Sequence, residues 1–233
     1  MSLSTVIITG ANRGIGFELT KRFLLSNEWK ILACCRNPDG ADALKDLAEN
    51  SSNRVEICRL DLTNENSIKA FSEKISGRAI DVLLNNAGIM GGNHQSAFDM
   101  DFDAWFETFK VNTMAPLRMV QASIENLRQS SNPRIITISS QMGSLNRMGK
   151  GSYAYRSSKA ALNKVMQVLA AELEQEGIIV TVMHPGWVQT DMGGKDADIS
   201  PQASAEGLFR VITSLKKSDN GRFLQWTGED HPW

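Results

Sequence analysis

Val6-Ile7-Ile8-Thr9-Gly10-Ala11-Asn12-Arg13-Gly14-Ile15-Gly16 decides how this 233-residue chain is read. A β-branched run ends in a glycine turn, after which Ile15, Leu19, Phe23 and Leu24 recur on one side of a helix. Strand, turn and helix in that order form the first half of a βαβ unit. Glycines at the junction let backbone N–H groups at a helix N-terminus approach a pyrophosphate that a Cβ would exclude. The spacing is Gly-x-x-x-Gly-x-Gly, not the commoner Gly-x-Gly-x-x-Gly. A glycine-rich turn without a ligand is the plain alternative; the strand before and the helix after favour nucleotide binding.

Lys30-Ile31-Leu32-Ala33-Cys34-Cys35 reads as a second strand, stopped by Arg36-Asn37-Pro38-Asp39-Gly40. In a βαβ dinucleotide unit the residue about 20 positions beyond the glycines meets the adenosine ribose. An acidic group there suits the ribose hydroxyls of NAD(H). This chain carries Arg36 there, and Arg13 within the glycine turn. Either arginine alone reads as a solvated surface charge. Together they suit a ribose 2′-phosphate, which guanidinium groups hold by charge-assisted bonds, and so favour NADP(H).

Strands and helices alternate through the remaining sequence. Helical patterns cover Ala41 to Asn50 and Asn64 to Ser76; strands cover Val55 to Leu60 and Ile80 to Leu84. Asn85-Asn86-Ala87-Gly88 follows, with small residues that let the backbone lie close to a bound ring and amides that can tie strands together. An ordinary strand-end turn has the same composition. A helical region from Phe102 to Gln129 holds Asn112, a poor helix-interior residue, near Pro116, so a kink or a bound water is expected there. Pro133 to Ser140 is the fifth strand, and a polar loop, Gln141 to Ser152, leads to a helix carrying Tyr155 and Lys159 and capped by Gly177. These two side chains stand four apart on one helix face, where an ammonium lowers a tyrosine pKa towards neutrality. Alone the pair is a weak signal, because that spacing arises by chance on many helices. Ile178 to Met183 is the sixth strand; a helix near Pro201 to Leu215 and a strand near Gly221 to Trp226 follow. The pattern predicts an α/β fold: one doubly wound Rossmann domain over residues 1–233, with a central, mostly parallel sheet flanked by helices.

Composition narrows the function classes. A hydrophobic fraction of 42% and a charged fraction of 22% are ordinary for a globular protein, and a net charge of -1 argues against a nucleic-acid surface. No apolar run is long enough to cross a bilayer, and the N-terminus lacks the charged flank of a signal peptide. Cys34, Cys35 and Cys58 lie in strand-like segments without metal-ligand spacing, which points to buried reduced thiols and no metal site. A cytoplasmic location is the expectation.

Four motifs in this order resemble the short-chain dehydrogenase/reductases over essentially the full length: Thr9 to Gly16, Asn85 to Gly88, Tyr155-x-x-x-Lys159 with an upstream serine, and Pro185-Gly186. Ser152 to Arg156, His184 to Gly194 and Gly228 to Trp233 are similar to the C-factor-like carbonyl reductase branch. The resemblance implies an NAD(P)-dependent oxidoreductase for a small carbonyl or alcohol, with Asn112, Ser140, Tyr155 and Lys159 as catalytic set. Tyr155 would exchange a proton with the substrate oxygen, Ser140 would hold that oxygen, and Lys159 would lower the Tyr155 pKa and bind the nicotinamide ribose. Asn112 would position a water that passes protons to Lys159. Implied cofactor contacts are Gly10, Asn12, Arg13, Gly14, Ile15, Gly16, Arg36, Asp61, Leu62, Asn86, Ala87, Gly88, Tyr155, Lys159, Pro185, Gly186, Val188 and Thr190. A homodimer or homotetramer through the helices at Phe102 to Gln129 and Tyr155 to Glu176 is also implied, although some carbonyl reductases are monomers.

Ser139 and Ser140 face opposite sides of a strand, so one of them points into the site, and the family pattern selects Ser140. Tyr153 has no lysine four positions on and is read as packing or lining the substrate cleft. His184 is read as a packed histidine, Trp187 as packing near the cofactor, and Gly193 to Ser200 as part of a mobile lid. Two other readings stay open: an NAD(H)-preferring enzyme in which Arg36 stacks on adenine, and a nucleotide-binding signalling protein, because the C-factor branch is associated with intercellular signalling in bacterial development.

Overall fold

The computed structural model describes residues 3–233. The first unit consists of β1 (Ser4–Thr9), α1 (Gly14–Leu25), β2 (Trp29–Cys35), α2 (Asp42–Glu49) and β3 (Val55–Arg59). Then come α3 (Glu65–Ile75), β4 (Val82–Asn85), a short hairpin of β5 (Gln95–Ser96) and β6 (Asp99–Met100), α4 (Phe102–Phe109) and α5 (Ala115–Leu127). β7 (Arg134–Ile138), α6 (Tyr153–Leu173), β8 (Ile179–His184), α7 (Pro201–Ser214) and β9 (Phe223–Gln225) complete the order. The main sheet has seven strands in the order β3-β2-β1-β4-β7-β8-β9, all pairs parallel, as the alternation predicted. The chain moves outward from β1 to β3, then returns to place β4 on the other side of β1. A crevice opens at such a reversal, beyond the carboxyl ends of the strands.

Helices cover both faces of the sheet, which is why its strands read as continuous apolar runs. On β1, Val6 and Ile8 enter one core layer and Ile7 the other, following the two-residue strand period. In the first layer Phe23 of α1 is fully buried and meets Trp29 and Phe209 edge-on, with ring centres 5.0 and 4.9 Å apart. Cys34, Cys35 and Cys58 are buried and unpaired. His184 is packed, as expected: it is buried against His231, and its Nδ1 accepts from the Gln141 N–H at 3.3 Å. Burial, with the nearby charges of His231 and Arg147, pushes His184 down to about 4, so it is neutral at ordinary pH.

The helical region from Phe102 to Gln129 is interrupted where the sequence predicts an irregularity. Lys110–Met114 form a π turn between α4 and α5. Asn112 sits buried within it, and its side-chain amide bonds Ile89 and Ser158, outside this helix. A bulge of this kind widens the helix locally and turns one side chain towards a site. Pro116 follows in the first turn of α5, where its missing N–H costs little. The hairpin β5–β6 was not foreseen; its two-residue strands are too short to carry a period.

Phe23→Ala removes the ring that joins α1, β2 and α7. It is expected to lower stability by about 3–5 kcal/mol. The check is urea unfolding, with the midpoint falling and the slope unchanged.

Candidate active site

A cleft of about 780 Å³ opens beyond the carboxyl ends of the central strands. Every cofactor contact implied by the sequence lines it except Gly186 and Val188. At one end, α1 begins at Gly14 with Arg13 in the cap position and no side chain bonding to its first N–H groups. Those donors, at the positive end of a helix, are what an anion such as a pyrophosphate takes up. A Cβ on Gly16 would overlap the Gly10 carbonyl and the Asn86 amide, so glycine there is fixed by close packing of α1 on the two strand ends. Asn86 donates to the Thr9 oxygen at 2.9 Å and the Gly10 oxygen at 3.3 Å, and Thr9 Oγ1 accepts from the Asn86 and Ala87 N–H groups at 3.0 Å each. The strand-tying function expected of asparagine is therefore present.

At the adenosine end the two arginines differ. Arg36 is exposed on the cleft wall and makes no hydrogen bond or ion pair with the described residues. Arg13 donates to Asp191 Oδ2 at 2.9 Å, reaching across the cleft mouth to the segment after β8. Asp61 accepts from the Thr63 N–H at 2.9 Å and hydroxyl at 2.7 Å. Burial raises its pKa, but the Thr63 bonds and the Arg36 charge outweigh that and hold the carboxyl below its ordinary value.

Two implied contacts, Gly186 and Val188, stand outside the residues that line the cleft. Gly186 has φ +88°, and a Cβ there would overlap Ile199 and crowd Trp226, so its glycine serves packing behind the cleft wall. Val188 is buried and pairs with Ile199 in a parallel bridge. Trp187, expected to pack, is 45% exposed and donates from Nε1 to the Gly193 oxygen at 2.7 Å. The segment expected as a mobile lid is tied back: Gln189 N–H bonds the Ile199 oxygen at 2.9 Å, its amide bonds the Ala197 oxygen at 2.9 Å, and Ala197 is buried.

The catalytic candidates converge at the other end of the cleft. Tyr155 and Lys159 are both buried on α6, with the ammonium 5.8 Å from the tyrosine ring centre. Lys159 Nζ donates to the Ile138 oxygen at 2.8 Å, and burial lowers its pKa to about 8. The expected depression of the Tyr155 pKa is not present in this geometry. Burial raises it, and only the Ser140 hydroxyl, as a hydrogen-bond partner, pulls it down. The ammonium lies beside the ring and bonds a backbone carbonyl, so it stabilises the phenolate less than the desolvation opposes it.

Of the two serines, Ser140 is the one whose hydroxyl acts on the Tyr155 pKa, and its Oγ accepts from the Met142 N–H at 3.1 Å. Ser139 donates to Asn163 Oδ1 at 2.6 Å and, unlike Ser140, is among the residues that line the cleft. Asn112 Oδ1 accepts from the Ile89 N–H at 2.8 Å, and its amide donates to the Ile89 oxygen at 2.9 Å and Ser158 Oγ at 3.0 Å. Gly88 lies between Asn112 Oδ1 and Lys159 Nζ, where a Cβ would sit 3.3 and 3.5 Å from them. Asn112 thus joins the loop after β4 to α6. Tyr153 is 45% exposed and does not line the cleft. Residues missed by sequence reasoning are Gln95, whose Oε1 accepts from the Tyr155 N–H at 3.2 Å, and Asp191, the partner of Arg13. Gln95 stands in no periodic pattern or motif, and Asp191, although within the His184 to Gly194 stretch, has no local signal that names Arg13 as its partner.

Comparison with known proteins agrees with this geometry. A family profile described as short chain dehydrogenase matches residues 4–199. The C-signal protein of Myxococcus xanthus is 41% identical over 168 residues, covering 71% of this chain and all of that protein (100%). The NADPH-bound carbonyl reductase from chicken fatty liver superposes with a TM-score of 0.92 at 34% identity, covering 100% of both chains. Carbonyl reductase Sniffer of D. melanogaster superposes with a TM-score of 0.93 at 31% identity, again covering 100% of both. The chain belongs to the short-chain dehydrogenase/reductase family, in its carbonyl reductase and C-factor-like branch, and is an NAD(P)-dependent oxidoreductase acting on C=O or CH–OH groups.

Proposed function

We propose that this protein is an NADP(H)-dependent carbonyl reductase in which Tyr155 exchanges the proton at the substrate oxygen. The observation that carries the reading is that Tyr155 and Lys159 stand one turn apart on α6, both buried and both lining the cleft, with the ammonium 5.8 Å from the tyrosine ring centre. When bound, the nicotinamide supplies the hydride chemistry. The chain supplies orientation and the proton. Burial keeps the Tyr155 hydroxyl protonated, which suits donation to a carbonyl oxygen held by Ser140. Lys159, at about 8, is mostly cationic at neutral pH, and its charge favours the phenolate left after donation. Asn112 serves by holding Ile89 and Ser158 in place around Lys159.

Preference for NADP(H) is supported by Arg36, a guanidinium on the cleft wall without a protein partner among the described residues. Arg13 is available to a phosphate only by leaving Asp191. Two exposed side chains exchange such a partner at little cost.

A second reading is favoured by the 41% identity to the C-signal protein: a signalling role that uses nucleotide binding and not turnover. A mutant phenotype restored equally by wild type and by Tyr155→Phe supports that role; restoration by wild type alone ties the phenotype to catalysis.

For the leading reading, purified protein is mixed with NADPH and a panel of aldehydes, ketones and quinones. Tyr155→Phe is expected to lower kcat by about 10²–10⁴-fold with NADPH affinity retained. Undiminished turnover by this variant removes Tyr155 from the mechanism. Arg36→Ala is expected to weaken NADPH binding by about tenfold or more and to leave NADH binding unchanged. Titration of both cofactors checks it, and an unaltered NADPH/NADH affinity ratio supports an enzyme that does not read the 2′-phosphate.

A further inference from the structure

We infer that Gln95 is a positioning residue for Tyr155, fastening the loop after β4 to the first turn of α6; this rests on the reading of Tyr155 as the proton-transfer group. Gln95 is 60 positions from Tyr155 in the chain and only 9% exposed. Its Oε1 accepts from the Tyr155 backbone N–H at 3.2 Å, and its Nε2 donates to the Met90 oxygen at 3.0 Å and the Gly92 oxygen at 2.8 Å. The amide therefore uses both donors and its acceptor, and it can do so in one orientation only.

The start of α6 needs such a partner. Ser152 precedes the helix in a left-handed conformation, φ 51°; its side chain caps none of the helix N–H groups, and its carbonyl takes only that of Arg156 at 2.9 Å. The first N–H groups of a helix have no partner within it. Gln95 supplies one from a distant loop, at the residue whose hydroxyl does the chemistry. The loop itself is closely packed. Gly91, with φ +89°, lies against Thr108 of α4 and Ala154 of α6, where a Cβ would overlap Thr108 Oγ1. One step earlier Ile89 is held by Asn112, which also bonds Ser158 of α6. The segment leaving the cofactor wall at Asn86 to Gly88 is thus joined to α6 at two levels, through Asn112 and through Gln95. Gln95 touches no reacting atom. It acts by fixing the backbone from which the Tyr155 ring projects, and small misplacements of a reacting group cost rate steeply.

The test uses the full chain with NADPH and the best carbonyl substrate from the panel. Gln95→Ala is expected to lower kcat by about ten- to a hundredfold, with NADPH affinity within about twofold of wild type. Gln95→Glu supplies a readout that a stability role does not. Its carboxyl would face two carbonyl oxygens, which disfavour the anion and raise its pKa. Protonated, it can donate to one of them and accept from Tyr155; ionised, it is repelled. The kcat of Gln95→Glu should therefore approach wild type at low pH and fall as pH rises through the new ionisation. Tyr155 and Lys159 on α6 and the His94–Asp99 pair on the hairpin are common to both proteins, so the difference between the two profiles is read.

Wild-type kcat in Gln95→Ala, a loss of NADPH affinity in proportion to kcat, or a wild-type profile in Gln95→Glu overturns the inference. Should Gln95→Ala fail to fold, the isosteric Gln95→Glu profile decides. Tyr155→Phe in the same assay separates the two levels: if it is inactive while the Gln95 variants match wild type, only the positioning role fails. If it is active, the proton-transfer reading fails and the inference with it.

Discussion

Asn86 and Thr9 hold the ends of β1 and β4 at a fixed separation through four hydrogen bonds of 2.9 to 3.3 Å. These strands are neighbours only because the strand order reverses there. Past the last ladder bond the two chains would otherwise diverge, and the glycine turn would have no reference for its position. With Asn86 in place, α1 packs so close that Gly16 has no room for a Cβ. The uncapped N-terminus of α1 and the wall from Asn86 to Gly88 are thereby set opposite one another across the crevice. A half-buried amide that satisfies neighbouring backbone oxygens also avoids the penalty of leaving them unpaired.

The other half of the site depends on α6, which hydrogen bonds tie to its neighbours along its length. Lys159 carries an ammonium into a buried corner with a single strong partner, the Ile138 oxygen at 2.8 Å. Burying a charge is costly, and its pKa of about 8 records that cost. Bonds spread along α6 hold it there. Ser139 meets Asn163, Thr113 bonds the Ser158 oxygen at 2.9 Å, and Trp105 bonds Ser157 at 2.9 Å. The raised pKa of Tyr155 has the same origin as the lowered one of Lys159: the enclosure that keeps both side chains in place disfavours charge on either. The rim differs in character. Arg13 and Asp191 pair with side chains 72% and 80% exposed, an interaction that solvent and salt weaken. The cleft is therefore enclosed at the Tyr155 end and solvated at its mouth.

Much of this was legible in the linear chain because it is local. Strand period, helix period and the glycine turn follow from neighbours within a few residues, and they were enough for the doubly wound sheet. The irregularity at Asn112 was legible too, since an asparagine inside a helical pattern competes for backbone bonds; the structure resolves it as a π turn. The opposite facing of Ser139 and Ser140 was expected from the strand pleat; Ser139 bonds Asn163 and Ser140 bonds the Met142 N–H. The spacing of Tyr155 and Lys159 placed both on one helix face, but it could not show which way their pKa values move. That depends on how much protein surrounds them.

The order of elements, the fold class and about half of the residues that line the cleft follow from the linear chain. What only the tertiary structure decided is how residues far apart in the chain meet. Gln95 reaches Tyr155 across 60 positions and Arg13 reaches Asp191 across 178. Gly186 and Val188 stand in a recognisable motif yet face Ile199 and the packing behind it. The physical reason is that periodicity and turn chemistry act between neighbours in the chain. Burial, charge and hydrogen-bond partnership are set by whichever segments the closed sheet and its helices bring together.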